Sequence, residues 1–107
     1  MTILTVYKNT ELTVGEMLEA LKALDFIEIP SDPQEYKLQH KTVELFLFMP
    51  HQPLDSLIKK YFTAKFSYQL ALFEITKDHD DLVKMILKER AKKKRALKRL
   101  KHFLWQR

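Results

Sequence analysis

The stretch KERAKKKRALKRLK, residues 88–101, sets nine Lys or Arg against one acid. Cations crowded in this way neutralise phosphates or carboxylates, and each phosphate engaged releases condensed counterions. The nine are Lys88, Arg90, Lys92, Lys93, Lys94, Arg95, Lys98, Arg99 and Lys101. Lysines outnumber arginines among them, which suits point-charge contacts with a phosphate backbone better than bidentate reading of bases. Contact with about five phosphates gives steep salt sensitivity and little sequence preference. An acidic protein surface is a second partner for the same run, and a plain solvated helix face is the third reading.

The charge is strongly uneven along the chain. Residues 84–107 carry eleven Lys or Arg against one acid, whereas residues 1–83 carry eight against thirteen. A mildly acidic body thus continues into an intensely basic tail. The tail's end, LKRLKHFLWQR, adds Leu97, Leu100, Leu104 and Trp105, an apolar set interleaved with cations. Such a basic amphipathic segment fits a partner's groove or a second copy of itself. Its two apolar turns are too few for membrane anchoring.

The remaining chemistry-bearing residues offer less. His40, His51, His79 and His102 show no metal-ligand spacing, and DHDD (78–81) reads as the acidic start of a helix. His40 and His51 flank an apolar strand and could meet at one end of a sheet, where a proton shuttle for RNA cleavage would need one of them beside a ribose hydroxyl. With a single glycine, the chain has no phosphate-cradling Gly-rich loop. With no cysteine it has no disulfide, thiol nucleophile or Cys-bound zinc. Tyr61, Phe62, Phe66, Tyr68 and Phe73 are spaced for a core, although exposed rings of this kind stack on bases. No cofactor and no metal are expected.

These residues must be carried by a scaffold. At 107 residues and 46% hydrophobic content, a single domain with a real core is expected. TILTVY (2–7) reads as a short strand. LTVGEMLEALKALDF reads as a helix: Thr13 and Glu16 form a capping box, and Val14, Met17, Leu18, Leu21 and Leu24 recur at helical spacing. FIEI (26–29) and EYKLQH (35–40) read as strands around the turn PSDP. VELFLFM (43–49) puts Val43, Leu45, Leu47 and Met49 on one face and Phe46 and Phe48 on the other. A strand apolar on both faces is expected to be central or covered by a helix. LDSLIKKYF (54–62) has helical spacing, and TAKFSYQLALFEI (63–75), ambiguous between periods, is assigned to helix. A last helix starts near Asp81. Its stripe Leu82, Val83, Ile86, Leu87 resumes at Leu97, Leu100 and Leu104, but is occupied in between by Arg90, Lys93 and Lys94. A helix packed at its start, solvated in its middle and amphipathic at its end follows.

The order helix, strand, turn, strand, strand, proline loop, helix resembles the HicA (YcfA-like) toxin family over residues 13–87. The residues that carry the resemblance are the helix running into Asp25-Phe26, the segment from Tyr36 to His40, and the apolar strand ending at Pro50. It implies a double-stranded-RNA-binding-like fold, RNA binding, mRNA cleavage by active members, and pairing with an antitoxin. The family's catalytic Gly-Ser-His segment is replaced here by Pro33, Gln34 and Glu35, so no catalytic residue carries over.

The expectation is therefore an α+β domain, a small antiparallel sheet of about three strands packed with helices (1–87), extended by a long basic C-terminal helix (88–107). Its expected role is non-enzymatic nucleic-acid binding, RNA ahead of DNA. The alternative is a regulatory or toxin-antitoxin-like subunit whose tail docks on an acidic partner, and an active ribonuclease ranks third. Because MTILTVYKNTE lacks a basic n-region and no apolar run is long enough to span a membrane, a cytoplasmic protein without membrane contact is expected. Removal of residues 88–107 should abolish binding and spare the domain.

Overall fold

The computed structural model describes residues 11–105, with side chains through His102. The expected strand at 2–7 lies outside the described residues. Within them the chain is α+β, with helices α1 (Val14–Ala23), α2 (Lys60–Leu72) and α3 (Asp81–Trp105) and strands β1 (Phe26–Ile29), β2 (Glu35–His40) and β3 (Phe46–Pro50).

Helix α1 begins where the capping box predicts. Thr13 Oγ1 accepts the Glu16 N–H at 3.1 Å, and Glu16 Oε1 accepts the Thr13 N–H at 2.9 Å. Val14, Met17, Leu18 and Leu21 form its buried stripe. Its other free N–H groups are taken by the chain from Leu54 to Ser56: Val14 donates to the Ser56 carbonyl and Gly15 to the Leu54 carbonyl, each at 2.9 Å. The helix expected over 54–62 is thereby displaced. Those carbonyls cap α1 instead of continuing a helix of their own, Ile58 N–H donates to the Leu12 carbonyl, and α2 starts only at Lys60. Gly15 suits this close contact, because a Cβ there would lie 3.1 Å from the Leu54 oxygen.

Helix α1 ends at Ala23, and Asp25, just beyond its cap Leu24, has a φ of 70°, in the left-handed region that Asp tolerates better than most side chains. Helix α2 ends in a Schellman arrangement around Glu74 (φ 58°): Ile75 N–H reaches the Leu70 carbonyl at 2.9 Å and Glu74 N–H the Ala71 carbonyl at 3.0 Å. The segment assigned to helix from an ambiguous pattern is helical, with Phe66 and Leu70 in the core.

The sheet is an antiparallel meander in the order β1-β2-β3. The register sets Phe26 opposite His40, Leu38 opposite Leu47 and Tyr36 opposite Met49. One face therefore carries Phe26, Leu38, Leu47 and Met49 into a core shared with Val14, Met17 and Leu21 of α1, Phe66 and Leu70 of α2, and Leu82, Val83 and Ile86 of α3. Among the described residues strand β3 is not central, and only its inner face is covered. It is an edge strand, and its outer side chains Phe46 and Phe48 stay 40% and 43% exposed.

Candidate nucleic-acid interface

Helix α3 starts at Asp81, whose carboxylate accepts the N–H groups of Lys77 and Asp78 at 2.6 and 3.2 Å. Burial pushes its pKa up, but those bonds, with further help from Asp78 and the Lys84 charge, lower it on balance. The first turns bury Leu82, Val83 and Ile86. From Ala91 to His102 every residue is exposed. At 1.5 Å per residue the whole helix is about 37 Å long, and the exposed part is about half of it.

The tail's cations divide into two groups. Arg90 and Lys93 lie on the stripe that packs against the body, and they are met there by the acidic edge of α1. Arg90 Nε and Nη2 donate to the two Glu16 carboxylate oxygens at 2.7 Å each, and Nη2 also donates to the Glu11 carbonyl at 2.7 Å. Lys93 pairs with Glu19. Arg90's hydrogen bonds, opposed by partial burial and helped by the Thr13 N–H, hold the Glu16 carboxyl at about 2 against an ordinary 4.5. The hydrogen bond from Lys93 to Glu19 likewise raises the Lys93 pKa. Arg90 is thereby neutralised and clamps α3 to α1, whereas the Lys93–Glu19 pair is exposed on both sides and of small energetic weight.

Lys88, Lys92, Lys94, Arg95, Lys98, Arg99 and Lys101 remain exposed. Among the described residues only Lys92 of these has an acid within reach, Glu89 one turn earlier at 3.4 Å, an exposed pair of small energetic weight. Leu97 and Leu100 are 57% and 55% exposed and lie on the continuation of the packed stripe, beyond the body that covers its start. Leu104 and Trp105 belong to α3, but their side chains are outside those described.

The histidines are placed apart. His40 is 8% exposed; its Nδ1 accepts the N–H groups of Thr42 and Val43 at 3.1 and 3.3 Å, and its ring meets Phe26 edge-on. It shapes the turn into β3. His51 follows β3 at the opposite end of the sheet, stacked on Tyr36 with centroids 4.5 Å apart. The two do not meet, which removes the geometry a shared proton shuttle would need. His79 lies against Tyr68. Among the described residues no three His, Asp or Glu side chains gather to hold a metal ion, and no helix is long and apolar enough to cross a membrane.

Of the clustered aromatics, Phe66 is buried and Phe62 half-buried, while Tyr61, Tyr68 and Phe73 are exposed. Phe46 and Phe48 were missed as candidates. Their signal was the second apolar face of β3, which becomes a surface once nothing covers it. Comparison with family models, with curated proteins and with solved structures finds no match for this chain.

Proposed function

We propose that this protein binds nucleic acid without catalysing its cleavage, RNA in preference to DNA, through phosphate contacts made by the exposed part of α3. The observation that carries the reading is the exposure of every residue from 91 to 102, in a helix whose seven unclamped cations face one nearby acid among the described residues. Lysine-rich contacts of this kind supply affinity and salt dependence with little sequence readout. The preference for RNA rests on the resemblance of residues 13–87 to HicA-like domains. A ribonuclease is disfavoured because Pro33, Gln34 and Glu35 stand where that family has its histidine segment and His40 is occupied within the turn.

A second reading is favoured by Leu97 and Leu100. Exposed one turn apart and flanked by cations, they fit a groove on an acidic protein. Deleting residues 94–107 separates the readings from one another and from unfolding, because the Arg90 clamp stays in place. Loss of binding to an RNA fragment with an unchanged melting temperature supports the proposal. Retention of RNA binding, with loss of a co-purifying acidic protein, overturns it in favour of the second reading.

A further inference from the structure

We infer that the open face of the sheet is a stacking platform for the unpaired bases of single-stranded RNA, a site separate from the phosphate-binding tail. The inference rests on the nucleic-acid reading above and deepens it. Three observations carry it. Phe46 and Phe48 point to the same side of edge strand β3 and expose 40% and 43% of their surface. Lys37, their neighbour on β2, extends its ammonium between them, 5.1 Å from one ring centroid and 5.5 Å from the other. Around the β3 edge an open groove of about 510 Å³ joins Phe48 and Pro50 to Tyr61 and Lys65 at the start of α2. Tyr61 is 64% exposed, and the Lys65 ammonium lies 5.8 Å from its ring centroid.

The charge pattern selects the occupant. Lys37 makes no ion pair among the described residues, and its contacts are the two rings. A second copy or an apolar protein closing over this face would bury an unpaired ammonium, which is costly. A nucleotide strand instead offers a flat ring to each phenylalanine and a phosphate to the displaced lysine. Spacing selects the strandedness. Residues two apart on a strand are about 6.6 Å apart, roughly twice the 3.4 Å rise of stacked bases along one strand. The two rings therefore take bases that have come apart from each other, which a duplex does not provide. Asp32 and Glu35 line the same groove, and with Glu28 they also border Lys37, so a bound strand turns its phosphates away from these carboxylates and toward the Lys37 and Lys65 ammonium groups.

The test compares a fluorescently labelled oligouridine with an RNA duplex of equal length, by anisotropy, on the full chain. Replacing both rings (Phe46→Ala with Phe48→Ala) should weaken oligouridine binding about tenfold for each ring lost. Duplex affinity and the salt dependence should be unchanged. Phe46→Leu with Phe48→Leu, which keeps apolar bulk and so guards against misfolding, should lose the same preference. Oligouridine affinity unchanged in either double variant overturns the inference, as does an equal loss on both RNAs. A dimer in the wild type that becomes monomeric in the variants, with oligouridine binding intact, also overturns it and identifies an interface between copies. Failure of the tail reading is seen separately: a Lys94, Arg95, Lys98 and Arg99 to Gln variant would then bind both RNAs like wild type. Wild-type protein that binds neither RNA overturns both.

Discussion

Changing Arg90 to alanine removes the clamp that fastens α3 to α1, and its cost can be worked from the geometry. Two charge-assisted hydrogen bonds to Glu16 and one to the Glu11 carbonyl are lost. The depression of the Glu16 pKa from 4.5 to about 2 corresponds at face value to about 3 kcal/mol of stabilisation at 1.36 kcal/mol per pH unit. Part of that depression comes from Thr13, which the substitution keeps, and a third of the Arg90 side chain and about a fifth of the Glu16 side chain remain in water, so the expected value falls to about 1–2 kcal/mol. For a domain of this size that is a fall of about 6–12 °C in Tm. The pH dependence follows in sign. A carboxyl whose folded pKa is depressed contributes fully above its unfolded value near 4.5 and loses that contribution as pH falls toward 2. Glu16→Gln keeps an oxygen for the Thr13 N–H but discards the charge. Urea unfolding followed by circular dichroism should therefore show wild type more stable than Glu16→Gln at pH 7, with the gap closing between pH 4.5 and 2. A gap independent of pH, or an Arg90→Ala protein as stable as wild type, would refute the reasoning.

Other consequences are local. Gly15→Ala forces a Cβ to 3.1 Å from the Leu54 oxygen and 3.3 Å from the Leu54 Cβ. It should lower stability by about 1 kcal/mol in chemical denaturation, despite alanine's better helix propensity. Glu74→Gly relieves the left-handed φ of 58° at the end of α2 and should raise stability by about 0.5–1 kcal/mol in the same assay. His40→Ala strips the acceptor from the Thr42 and Val43 N–H groups and opens space beside Phe26. It should cost about 2–4 kcal/mol in thermal unfolding, and an unchanged Tm would contradict the structural role given to the ring.

The elements that were legible in the sequence are those fixed by local chemistry. Thr13 and Glu16 announce the start of α1 because the capping box is closed within one turn, and EYKLQH announces β2 by its alternation. Residues 54–58 misled for a tertiary reason. Their helical spacing is real, but their carbonyls are claimed by α1, about forty residues upstream. The two faces of β3 were readable and its edge position was not, because periodicity reports what a strand offers and not what arrives to cover it. The candidate site divides the same way. The sequence shows Arg90 and Lys93 interrupting an apolar stripe, while the acids that meet them lie 74 residues earlier. Only the packing of α3 on α1 brings them together.

The most direct measurement is the slope of log affinity against log salt for a single-stranded RNA. At about 0.7 per phosphate, seven unclamped cations set an upper limit near a slope of −5. Changing Lys94, Arg95, Lys98 and Arg99 to Gln should make the slope shallower by roughly 3. An identical slope in wild type and the fourfold variant would show that the exposed end of α3 does not hold the polyanion.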